Sequence, residues 1–228
     1  MNTYFDKIYI INLKQSTDRK EMMTEQMKKL NIDNYVFEDA IHGKDINIEY
    51  LKSNKLYAYP GNTFCKKTCS CRGEGHVLSD NQIALHLTNY NIWNDIVKKN
   101  YTKCLILEDD CIFTEDIKNV SNVIDNIPVN WNMLFLGHTQ YINSHNSKDI
   151  NNTHFLQLLD GMPEAHIYAV TQECAKILIE HTYPIRAAVD GYFAHFMIHN
   201  KILTDTYVCK FKLGLNGSLC NIYKSFLS

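Results

Sequence analysis

Apolar residues recur along this chain in two rhythms that take turns. Residues 5–13, FDKIYIINL, are β-branched and aromatic almost without a break, which suits a strand buried on both faces. From Ser16 the spacing becomes helical and runs to Leu30, with Asp18 and Glu21 at the separation of a capping box. NYVFED at 34–39 then predicts a second strand. The chain therefore opens β-α-β, a unit that sets the C-terminal ends of parallel strands side by side, where ligands of open α/β sheets bind.

Between His42 and Glu74 the periodicity fades, and Pro60-Gly61, a cysteine cluster, Gly73 and Gly75 break what remains. A stretch of that length predicts a substrate-facing insertion or lid over about 42–78. Ser79, with Gln82 in the matching box position, then caps a helix carried by Ile83, Leu87, Tyr90 and Val97 and ending near Asn100. CLILEDDCIF at 104–113 follows as a central strand. A helix over 114–126 halted before Pro128, a strand at 132–138 (NMLFLGH), a polar loop over 140–153 and a strand at 166–171 (HIYAVT) come next. Helices over 172–181 and 190–199 complete the alternation. No linker or repeat interrupts it, so one α/β domain over residues 1–228 is expected.

Composition narrows the possible partners. The chain has 228 residues, 45% of them apolar, enough for one sizeable core, and a formal net charge of −2 gives no field that would gather nucleic acid or an anionic membrane. MNTYFDKIYIINLK lacks the pattern of a secretory leader, and no apolar run approaches the roughly 20 residues of a membrane span, so a soluble, cytoplasmic chain is expected. Without a leader, the eight cysteines default to reduced thiols. Cys65, Cys69 and Cys71 crowd together in CKKTCSC, with His76 nearby. Zinc or a local disulfide remains open there, although C-x3-C-x-C is not a standard finger spacing.

The chemistry concentrates in CLILEDDCIF. In a strand, Glu108 and Asp110 share a face while Asp109 points away and outward. Ionised carboxylates inside a sheet would be severely desolvated, so the three belong at the strand's exit. There the first two form a usable half-shell for Mg²⁺ or Mn²⁺, to be completed by water and phosphate. The plainer alternative is that the acids start a turn and cap the next helix. Only Arg19, Arg72 and Arg186 are arginines among the 23 basic residues, which suits positions needing a planar, bidentate fork, the plainer alternative being three ordinary surface arginines.

KIYIINLKQSTDRKEMM, FEDAIHG, NYNIWNDIV, ILEDDCIF, LFLG, AHIYAVTQECAKILI and PIRAAVDGYF, in that order over roughly residues 5–220, resemble the successive blocks of glycosyltransferase family 25. That family includes lipooligosaccharide and procollagen galactosyltransferases. The resemblance implies a GT-A-type, Rossmann-like fold with a mostly parallel central sheet, a UDP-sugar donor and Mn²⁺ or Mg²⁺. It implies transfer of a hexose, galactose or glucose, to a hydroxyl of a glycan or protein with inversion. Glu108 and Asp110 match a metal-binding DxD element, Asn12, Arg19, Asp39 and Asp109 fall on the donor-binding side, and Asp190 matches the candidate base. The chain departs from the family pattern at Leu87-Thr88-Asn89, where relatives carry Leu-Ser-His, and in the cysteine-bearing insertion. A catalytically inactive sugar-nucleotide-binding module is the competing expectation.

Overall fold

Pleat alternation decides which side chains line each face of the central sheet. In β1 (Lys7–Asn12), Ile8 and Ile10 join one core and Tyr9 and Ile11 the other. In β3 (Lys103–Glu108), Leu105 and Leu107 join the first, Cys104 and Ile106 the second. Helix α1 (Thr17–Lys29) covers the first face with Met23 and Met27. The second is covered by α3 (Asp80–Lys98), through Ile92, Trp93 and Ile96, and by α5 (Gln172–His181), through Cys174, Ala175 and Leu178. Strands dry on both faces read as continuous apolar runs, which is why these two were legible.

The structure is a computed structural model and describes residues 1–58, 77–138, 146–151, 153–160 and 164–217, the side chains of 195 and 196 excepted. Its remaining strands are β2 (Tyr35–Asp39), β4 (Cys111–Phe113), β5 (Met133–Phe135), β6 (Ser147–Asp149), β7 (Phe155–Leu158), β8 (Ile167–Thr171), β9 (Thr206–Cys209) and β10 (Gly214–Asn216). Eight of them form one sheet in the order β2-β1-β3-β8-β5-β9-β7-β6, and β10 pairs with β4 in a separate ribbon. β8 and β7 run against the other six, so this mixed α/β sheet is mostly parallel in strand direction.

Several expectations need correcting. α1 begins at Thr17, so Asp18 lies inside its first turn and the Asp18/Glu21 box does not form; Asp18 still faces the positive end of the helix dipole. The Ser79/Gln82 box does form, with bonds of 2.9 and 3.3 Å. The fully buried stripe of α3 runs through Ile83, His86, Asn89, Trp93 and Ile96, one place off the Leu87, Tyr90 and Val97 stripe, which is half-buried. Part of the polar 140–153 stretch is the edge strand β6, and β7, β9 and β10 were not foreseen. Inside the expected insertion, α2 (Ile48–Ser53) packs Leu51, together with Tyr57, against Leu78, Ile83 and Ile185. Cys65, Cys69 and Cys71 lie outside the described residues, while Cys104, Cys111, Cys174 and Cys209 are buried free thiols. The helix expected over 114–126 is a 3-10 turn over Glu115–Asn119 followed by the short α4 (Val120–Asp125), and the one expected over 190–199 is the short α6 (Val189–Gly191) continuing into a π-helix over Tyr192–Ile198. Among the described residues no helix is long and apolar enough to cross a membrane.

Candidate active site

Continuing the alternation of β3 from Cys104 and Ile106 puts Glu108 on the face covered by α3 and α5. Its carboxyl is pushed up to about 8, first by burial and then by the negative charges of Asp110, Asp190 and Asp109, with Arg19 opposing. The charges of three other acidic groups therefore reach Glu108 at the exit of the central strand, and one of them, Asp190, comes from α6 near the other end of the described chain. Asp190 is half-buried, and its Oδ1 accepts the N–H of Gly191 at 2.9 Å. Asp110 is buried in the turn between β3 and β4, and its carbonyl accepts the N–H of Gly217 at 2.8 Å, which ties that turn to the end of β10.

His166, at the start of β8, lies beside this turn. Its Nε2 is 3.2 Å from the carbonyl of Gly214, so Nε2 donates, and its Nδ1 lies 3.7 Å from Oε2 of buried Glu164. Burial lowers the His166 pKa, while the Gly214 bond and the charges of Glu164 and Asp110 oppose the shift. The contact requires glycine at 137: a Cβ there would meet Ile167 Cγ2 at 2.1 Å, the Gly214 carbonyl at 2.5 Å and His166 Nε2 at 2.8 Å.

Asp109 takes the opposite face, as alternation implies, but it does not point outward. It is 8% exposed because α1 covers it. Its two carboxylate oxygens accept from Asn12 Nδ2 at 2.8 Å and from Arg19 at 3.0 Å, and Asn12 also donates to the carbonyl of Ser16 at 3.1 Å. Burial raises the Asp109 pKa against the lowering effect of both partners. Asn12, Arg19 and Asp109 thus form a bracket that joins the β1–α1 corner to the exit of β3, with part of Arg19 left accessible. Asp39 closes β2 with its side chain exposed and paired to Lys14 at 3.1 Å. Register aligns Asp39 with Asn12, and Glu108 with Ile11, across three parallel strands, so these residues share the sheet edge where ligands of such folds bind.

The two residues at the departure from the family pattern lie in the core. Thr88 Oγ1 accepts from Ile41 N–H at 3.0 Å and donates to the Ala84 carbonyl. Asn89 donates to the Leu85 carbonyl at 2.8 Å and accepts from the Tyr168 hydroxyl. Sequence reasoning missed Glu164 as a partner of His166, and it missed His86, which is fully buried on α3. The signal for His86 was its place three residues from Ile83 and from Asn89, on the stripe that faces the core.

Among the described residues no three His, Cys, Asp or Glu side chains are arranged to hold a metal ion by themselves. Glu108 and Asp110 nonetheless fit a divalent cation. Their mutual repulsion, which raises Glu108, is what such a cation relieves, and hard ions commonly take one or two carboxylates with phosphate and water.

Residues 5–193 match the sequence profile of Glycosyltransferase family 25 (LPS biosynthesis protein). Procollagen galactosyltransferase 2 of Homo sapiens is 28% identical over 137 residues, 58% of this chain and 21% of that protein. Inactive glycosyltransferase 25 family member 3 of Mus musculus is 23% identical over 140 residues, 60% of this chain and 22% of that protein. The chain spans about a fifth of the length of these curated relatives. A solved structure of a glycosyltransferase involved in the glycosylation of the major capsid of PBCV-1 aligns over 89% of this chain and 80% of its own, with a TM-score of 0.43 and 12% identity.

Proposed function

The chain belongs to glycosyltransferase family 25, and from that premise we propose that it moves a hexose, galactose or glucose, from a UDP-sugar to a hydroxyl of a glycan or protein acceptor. One observation carries the reading: Glu108, Asp110 and Asp190 gather their charges at the exit of the central parallel strand, inside the matched segment. Glu108 and Asp110 would hold Mn²⁺ or Mg²⁺, which when bound would supply positive charge against the diphosphate that departs as UDP. Asp190, on the neighbouring turn, takes the acceptor hydroxyl's proton, so that its oxygen attacks the anomeric carbon directly and inverts it. Asp39 and the accessible part of Arg19 contact the nucleoside. Asn12 and Asp109 act on the donor indirectly, by keeping Arg19 and the β3 exit in place. Residues 1–228 act as one glycosyltransferase unit, with about 42–78 an insertion in its sequence.

The test is UDP release from a panel of UDP-sugars in the presence of Mn²⁺, with hydroxyl acceptors. Turnover is expected, and Asp110→Ala should lower it by about 100-fold or more. Absence of both turnover and nucleotide binding would overturn the reading. A second reading, a module that binds the sugar nucleotide without transfer, is favoured by the similarity to an inactive family member and by Thr88-Asn89. UDP-sugar binding with neither transfer nor hydrolysis would select it.

A further inference from the structure

His86 holds one nitrogen against the loop that ends at Asp190. Its Nδ1 lies 3.1 Å from the carbonyl of Ala187. A carbonyl only accepts, so Nδ1 carries the hydrogen and Nε2 presents a bare lone pair. That Nε2 is buried and has no hydrogen-bond partner among the described residues. An unsatisfied buried acceptor costs stability that a leucine in the same place would not. Packing alone therefore does not account for the histidine, whereas the bond made by its other nitrogen does.

The neighbours of that bond fix the same loop. The His86 ring packs against Tyr192 at 5.0 Å and Trp93 at 6.1 Å. Tyr192 donates its hydroxyl to the Leu178 carbonyl at 2.8 Å and its N–H to the Ala188 carbonyl at 2.7 Å. Upstream, Ile185 exchanges backbone bonds with Leu56 and Ala58 at 2.8 and 3.0 Å. Asp190 thus sits between anchored residues on both sides, and His86 reaches from α3 to the carbonyl of Ala187, three residues before it.

We propose that His86 is a positioning residue for Asp190: its Nδ1–H bond to Ala187 and its ring contact with Tyr192 set the turn that presents the Asp190 carboxylate to the acceptor hydroxyl. The proposal rests on the reading of Asp190 as the base. Displacing a catalytic group by an ångström costs on the order of 100-fold in rate, so a loosened turn registers in kcat.

The experiment compares wild type with His86→Leu, which removes the donor, and His86→Asn, whose amide nitrogen can occupy the place of Nδ1. His86→Leu should lower kcat by about 10-fold or more with KM for the UDP-sugar within about 2-fold, and His86→Asn should recover most of the loss. Hydrogen exchange at the amides of 185–192 should accelerate in His86→Leu alone. Wild-type kcat in a folded His86→Leu protein, or equal impairment of both variants, would overturn the proposal. Should His86→Leu fail to fold, His86→Gln takes its place, since it carries its donor one bond too far, and the same fall in kcat is required. If wild type turns over no UDP-sugar, the transferase reading fails on its own. The exchange data then judge His86 separately, and unchanged protection of 185–192 would overturn its role.

Discussion

A histidine kept neutral inside an aromatic box ties stability to pH. Burial pulls the His86 pKa down to about 4, against the opposing effect of its bond to Ala187. An unfolded chain takes up the same proton near the ordinary value of about 6.5. Between those two values the unfolded state binds a proton that the folded state refuses. The contribution of neutral His86 is therefore complete above about pH 6.5, is lost as pH falls toward 4, and changes little below that. From pH 7 to pH 4.5 the loss amounts to about 2 kcal/mol. Urea unfolding at the two pH values should show His86→Asn losing about 2 kcal/mol less than wild type, and parallel losses would show that His86 already binds its proton in the folded state. Asp109 makes a different residue-scale point. Alternation assigned its face, but its partners Asn12 and Arg19 come from β1 and α1, and no local pattern in EDD names them.

Elements were legible where a period had room to repeat. β1, α1, β2, α3, β3 and α5 are long enough, or apolar enough on both faces, for pattern to outweigh noise. β4, β6 and β10 span three residues each and β9 four, too short to show alternation, and their pairing energy comes from neighbours distant in sequence. α2 was hidden for a related reason, since its apolar residues answer to Leu78, Ile83 and Ile185 more than to one another. The β10–β4 ribbon shows how such an element becomes part of the site. Gly214 accepts from His166 and lies against the space over Gly137, so the ribbon can close on the carboxylate turn only if residue 137 has no side chain. Gly137→Ala should therefore displace the ribbon and destabilise the fold by about 1–3 kcal/mol, measured as a lowered denaturation midpoint. A midpoint equal to wild type would mean that Gly214 of the ribbon does not lie against Gly137 as described.

At the scale of the whole molecule, the site depends on strand order. β2, β1 and β3 lie side by side and bring Asp39, Asn12 and Glu108 to one edge, while the chain returns through β8 and α5 before α6 delivers Asp190. Periodicity could place Glu108 at a strand exit but could not pair it with Asp190, and only the resemblance of the late PIRAAVDGYF block pointed there. A consequence follows for metal binding. On the proposed reading Glu108 and Asp110 supply two ligands, and water and the donor diphosphate supply the rest. Mn²⁺ and UDP should then bind cooperatively, each improving the affinity for the other by the same factor. In thermal unfolding, Mn²⁺ alone and UDP alone should each raise Tm only slightly. The two together, at about 100 times the dissociation constant of the ternary complex, stabilise by about 2.7 kcal/mol, or about 5–10 °C for a chain of this size. Chelation by EDTA should reduce the joint shift to that of UDP alone, and Asp110→Ala should show no cooperativity. A joint shift no larger than the sum of the separate ones would place the cation, if it binds at all, away from the diphosphate and remove Glu108 and Asp110 from its coordination.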